Sequence, residues 1–85
     1  MASFELFHRI ADPPSAVARQ YVVDHALEDR VRFRNLTYPE VEADFQRLGG
    51  KATPALWDGT HLHQGAEAVV ARLQAVVNLG RDGDM

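Results

Sequence analysis

Apolar positions along the chain change spacing from one stretch to the next, and each spacing predicts an element. Phe4-Glu5-Leu6-Phe7-His8-Arg9 is aromatic-rich and mostly apolar, as a central strand is. Asp12-Pro13 then opens a helix: aspartate caps free N–H groups, and proline at the first helical position gives up an N–H that has no partner there. Val17, Tyr21 and Val22 mark its expected apolar face, and it is read to about Leu27, before a polar turn at Glu28-Asp29-Arg30. Val31-Arg32-Phe33-Arg34-Asn35-Leu36 alternates apolar and polar, the pattern of a strand with one exposed face.

Thr37-Tyr38-Pro39-Glu40 has the form of a capping box, with Thr37 as cap and Glu40 reaching back. Val41, Phe45 and Leu48 follow at helical spacing, and Gly49-Gly50 stops that helix. Ala55-Leu56-Trp57, a tight Asp58-Gly59 turn and Thr60-His61-Leu62-His63 read as a hairpin, with Trp57 in or beside the core. The last helix runs from about Ala66 to Asn78 on Val69, Val70, Leu73, Val76 and Val77, with Gly80 closing it. The order is βαβαββα. A right-handed crossover makes the first two strands parallel, and the hairpin adds two antiparallel strands. The expected architecture is α/β, a four-stranded mixed sheet flanked by three helices. Residues 1–80 form one domain and residues 81–85 a flexible tail.

Composition narrows the classes. The chain has 85 residues, 46% of them hydrophobic, enough for one small core and too many for a disordered chain. A net charge of −3 gives no electrostatic footprint for nucleic acid. No apolar run approaches the roughly 20 residues of a membrane helix, and no signal peptide is visible. Cytoplasmic location is the default expectation. The chain has no cysteine, which excludes disulfides, zinc–thiolate sites and thiol nucleophiles.

Against that absence, Asp12-Pro13-Pro14-Ser15 has the form of Cys-Pro-x-Cys with both sulfur positions replaced, and Thr53-Pro54 precedes a predicted strand. With the element order, these residues resemble the glutaredoxin branch of the thioredoxin fold over roughly Phe4 to Val77, and are also similar to the N-terminal domain of glutathione transferases. The resemblance implies that Asp12 and Ser15 stand where glutaredoxins have their nucleophilic and resolving cysteines. It implies that Arg9 matches the family's basic residue, and that Gly50-Lys51-Ala52-Thr53-Pro54 ends in the family's cis-proline. Gln64-Gly65-Ala66-Glu67 resembles the stretch at the start of the last helix that holds the γ-glutamyl end of glutathione. The implied ligand groove for a peptide or glutathione therefore comprises Arg9, Asp12, Ser15, Lys51, Thr53, Pro54, Gly65, Ala66 and Glu67. No catalytic residue, metal or resident cofactor is expected, and the partner is a protein or glutathione.

Each of these residues also has a plainer reading. Asp12 is foremost a helix cap, Ser15 a solvated first-turn serine, and Arg9 and Lys51 surface charges as readily as a clamp on a carboxylate. Glu67 suits the first turn of any helix. His61 and His63, two apart on a strand, share a face, but two ligands are too few for a closed metal site. Arg30, Arg32 and Arg34 read as the solvated side of an exposed strand.

Without a thiolate, thiol–disulfide exchange is excluded: aspartate forms no mixed disulfide and unassisted serine is a poor nucleophile. The expected function is a redox-inactive binding or adaptor module that uses the groove beside Thr53-Pro54. Two alternatives stand beside it. One is glutathione-dependent transfer or isomerisation with Ser15 or Thr53 polarising a bound thiol. The other is self-association through a sheet edge or the Arg30–Arg34 strand.

Overall fold

In the computed structural model, residues 3–83 are described. The elements are β1 (Phe4–His8), α1 (Pro13–Asp24), β2 (Val31–Asn35), α2 (Pro39–Arg47), β3 (Ala55–Trp57), β4 (Leu62–Gln64) and α3 (Ala66–Gly83). The sheet order is β2-β1-β3-β4. β1 pairs in parallel with β2 (Leu6 opposite Phe33), β3 pairs antiparallel with β1, and β4 pairs antiparallel with β3. The mixed sheet with three helices is the architecture expected from the spacing.

The alternation of β1 and β3 sorts side chains into two apolar clusters, one on each face. Phe4, Leu6 and Leu56 pack with Ala18 and Val22 of α1 and Val69, Leu73 and Val76 of α3. Phe7 and Ala55 point the other way, onto Leu36 and onto Val41 and Phe45 of α2. Leu6, Phe7 and Leu56 are fully buried, as period-two strands between helix layers must be. β1 is thus central, and the Thr53–Pro54 peptide bond before β3 is cis.

Several local expectations are corrected. The buried face of α1 is Ser15, Ala18 and Val22, not Val17, which is 55% exposed. Small residues at i, i+3 and i+7 let α1 lie close against the sheet. α1 ends at Asp24 rather than near Leu27, and the Leu27 N–H turns back to the Val22 carbonyl (2.9 Å). Thr37 does not cap α2: Pro39 takes the first helical position, so the cap residue is Tyr38, which makes no side-chain cap bond. The Thr37 N–H instead meets Asn35 Oδ1 at 2.9 Å. α3 continues through Gly80 to Gly83, and residues 84–85 of the expected tail lie outside the described residues.

Arg34 is the clearest departure from the solvated-stripe reading. Its guanidinium is ion-paired with Glu5 and with Asp44 (2.7 Å to Oδ2) and lies over the Phe7 ring, leaving the side chain 12% exposed. It ties β2 to β1 and α2, while Arg30 and Arg32 remain exposed.

The hairpin is not a two-residue turn. Residues 58–61 form the connection, closed by the Asp58 N–H to the His61 carbonyl (3.1 Å), so His61 lies outside β4 and only His63 is a strand residue. Asp58 organises this loop. Oδ1 accepts from the N–H groups of His61 (2.7 Å) and Thr60 (2.9 Å) and from the Thr60 hydroxyl, and Oδ2 accepts from His63 Nε2 (2.8 Å) and Arg72 Nε (3.3 Å). The His63 bond, then those from the His61 and Thr60 backbone, hold the Asp58 carboxyl far below the usual carboxylate range.

We expect Asp58→Ala to cost about 2–3 kcal/mol, because it strips partners from three side chains and two amides at once. A carboxylate whose folded pKa is depressed stabilises fully above its unfolded value of about 4, and that contribution is lost as the pH falls below it. Chemical denaturation of both proteins should therefore show a gap that is wide at pH 7 and narrows towards pH 3. A gap independent of pH would mean that Asp58 acts only by packing.

Candidate functional site

The nine residues expected to form a groove come from four segments: the end of β1, the N-terminus of α1, the loop before β3 and the start of α3. Asp12 caps α1, and its Oδ2 is the hub. It accepts from the Ser15 hydroxyl (2.7 Å), the Thr53 hydroxyl (3.0 Å) and the Ser15 N–H (3.2 Å). The Ser15 hydroxyl, then the Thr53 hydroxyl and the Ser15 N–H, outweigh partial desolvation and lower the Asp12 pKa, with the nearby Arg9 charge adding to the effect. Asp12 is therefore a permanent carboxylate at neutral pH. Among the described residues nothing donates to Oδ1.

Ser15 is fully buried, contrary to the solvated reading. Its Oγ donates to Asp12 and accepts from the Arg9 N–H (3.2 Å), so the hydroxyl is used up in bracing the cap against the end of β1. Arg19 braces the same turn from the helix side, donating to the carbonyls of Arg9 (3.0 Å) and Ile10 (3.2 Å). It also lies 3.1 Å from His8 Nδ1. Burial, then the Arg19 charge, lowers the pKa of His8.

Gln64 braces the loop before β3. Its Oε1 accepts from the N–H groups of Lys51 (2.7 Å) and Ala52 (3.0 Å), and its Nε2 donates to the Gly49 carbonyl (3.5 Å). The Pro54 carbonyl accepts from the Gly65 N–H at 2.8 Å, which fixes the start of α3 to the loop before β3. Pro54 itself is buried. Between Asp12 and Pro54, the Thr53 N–H and carbonyl have no hydrogen-bond partner among the described residues, although the Thr53 side chain is tied to Asp12.

Of the nine residues expected in the groove, hydrogen bonds join Arg9, Asp12, Ser15 and Thr53 into one network. Lys51, Pro54 and Gly65 are brought to the neighbouring loop by Gln64 and main-chain contacts. Ala66 and Glu67 begin α3, with Glu67 exposed. Neither the Arg9 nor the Lys51 side chain makes an ion pair among the described residues, and both are exposed. Among the described residues no cluster of three or more His, Asp or Glu has the geometry to hold a metal ion.

The braces are what the sequence did not single out. Arg19 carried no signal, because its acceptors are carbonyls nine and ten residues earlier. Gln64 stood in a stretch noted for its glycine and glutamate, and only its distance in sequence from Lys51 hides the contact.

Among solved structures, the chain is similar to the solution structure of glutaredoxin from Brucella melitensis. The TM-score is 0.60 with 18% sequence identity, over 94% of this chain and 92% of that one. No family model matches the chain, and no curated protein matches it. The fold is thioredoxin-like, of the glutaredoxin type, carried by a chain without cysteine. Among the described residues no helix is long and apolar enough to cross a membrane.

Proposed function

We propose that this chain is a redox-inactive, glutaredoxin-like binding module that holds an extended peptide or glutathione against Thr53 without transforming it. The observation that carries the reading is the unpaired Thr53 N–H and carbonyl, placed beside the Asp12 carboxylate and just ahead of β3. Unpaired main-chain groups at the end of a strand recruit an extended ligand as one more strand, and the ligand's own main chain supplies the affinity. Such contacts need no thiol.

The exposed cations of Arg9 and Lys51 are available for a terminal carboxylate, and the N–H groups that open α3 at Ala66 and Glu67 for an α-amino-carboxylate end. Ser15 does not polarise a ligand thiol in this reading: its hydroxyl is buried, donating to Asp12 Oδ2 and accepting from the Arg9 N–H. The module is assigned to the cytoplasm, where glutathione is abundant.

An amide-shift titration of isotopically labelled protein with reduced glutathione tests the reading. Shifts should concentrate at Arg9, Asp12, Thr53 and Gly65–Glu67 and saturate at millimolar ligand, with no thiol–disulfide exchange above the uncatalysed rate. Shifts absent at millimolar ligand, or gathered on the exposed edge of β2, count against it.

A further inference from the structure

The geometry points to a groove that selects, at the position facing Asp12, a ligand side chain bearing a cation, so that the favoured occupant is an extended peptide with lysine or arginine opposite Thr53. This rests on the groove reading above and adds the class of ligand.

Three observations carry the inference. First, Asp12 divides its two oxygens between separate tasks. Oδ2 is saturated by three internal donors at 2.7, 3.0 and 3.2 Å, while Oδ1 has no donor among the described residues. A carboxylate accepts hydrogen bonds on both oxygens, so Oδ1 is an unused acceptor beside Thr53.

Second, the Thr53 hydroxyl sits 3.0 Å from that carboxylate, so the residue of a ligand strand that pairs with the Thr53 main chain lies next to Asp12. Third, nothing neutralises Asp12 by direct contact. Arg9 acts on it only through space, after the three hydrogen bonds, and its guanidinium is bonded to nothing among the described residues. The groove thus meets a ligand side chain with a fixed negative charge and an open acceptor. A thiolate or carboxylate is repelled there, a thiol is a weak donor, and an ammonium or guanidinium makes a charge-assisted bond.

The test uses one scaffold with one variable side chain: the tripeptides γ-glutamyl-X-glycine, with X as lysine, cysteine (reduced glutathione itself) or glutamate. Each is titrated into labelled native protein and into Asp12→Asn at pH 7. Asparagine is a good helix cap, so α1 and the Ser15 contact survive while the charge goes.

The native protein should bind the lysine tripeptide at least about tenfold more tightly than the glutamate one, with glutathione between, as expected for unit charges in near contact at a protein surface. In Asp12→Asn the three should fall within about threefold of one another. If that variant does not fold, raising the salt from 0.05 to about 0.5 M must shrink the native preference by screening. Equal or tighter binding of glutathione or the glutamate tripeptide to the native protein overturns the inference while leaving the groove reading intact. If none of the three tripeptides moves Thr53 or Gly65–Glu67, the groove reading itself fails.

Discussion

Replacing Asp12 and Ser15 together with cysteine should turn this chain into a catalyst of thiol–disulfide exchange. The scaffold for that chemistry is in place. Residue 12 caps α1, where the helix N-terminus stabilises a thiolate, and residue 15 lies fully buried one turn on. The two side chains already turn towards each other, with Ser15 Oγ 2.7 Å from Asp12 Oδ2.

A free thiol with a pKa near 8.5 is only about 3% thiolate at pH 7, whereas one lowered to about 7 is half ionised. The gain in attacking species alone is more than about tenfold. The double variant should reduce a glutathionylated peptide at least about tenfold faster than the same concentration of a simple thiol, while the native chain does not exceed background. Asp12→Cys alone supplies the attacking thiolate with Ser15 unchanged, and separates the nucleophile from the resolving position. A double variant that forms its disulfide yet does not exchange with the peptide would mean that the groove does not present a ligand to residue 12.

The second large effect lies behind the groove. Gly50→Ala should destabilise the protein by about 2–3 kcal/mol, because an added Cβ would overlap Cε1, Cδ1 and Cζ of the Phe45 ring. That ring has nowhere to go. It is 6% exposed and stands 5.5 Å from the Phe7 ring in the α2 cluster, and the Gly50 N–H to the Phe45 main-chain carbonyl (2.8 Å) ties the glycine backbone beside it. For a domain of this size the loss corresponds to a fall of about 10 °C or more in Tm. Phe45→Leu in the Gly50→Ala background should restore part of the loss, since the two changes act on one contact and are not additive. Strain at Gly50 also enters Lys51 and Ala52, so glutathione affinity should weaken in step. A variant as stable as the native protein would show that the loop can move away from Phe45 at no cost.

Much of this arrangement was legible in the sequence because it is local. The cap at Asp12 followed by proline, the mostly apolar β1 and the glycine that ends α2 each declare themselves within a few residues. What was not legible depends on partners distant in sequence. Arg34 looked solvated because alternation assigns only a face; its acid partners Glu5 and Asp44 lie on β1 and α2. The polarity of Ser15 suggests a first-turn surface serine, yet α1 lies close enough to the sheet to bury it against the end of β1.

Val17 faces solvent for a related reason: where α1 lies close to the sheet, the small Ala18 takes the buried position beside it. At the groove, residue types indicated which side chains convene. Only the geometry separated the oxygen of Asp12 that is used from the one that is free, and left the Thr53 main chain unpaired.

The central claim is that an extended ligand docks main chain to main chain on Thr53. Intermolecular nuclear Overhauser contacts between labelled protein and bound glutathione test it most directly. Contacts are expected from the Thr53 amide to the ligand's central residue, and from the Gly65–Glu67 amides to its γ-glutamyl end. Contacts confined to the β2 edge or the 58–61 loop, with Thr53 silent at saturation, would contradict it.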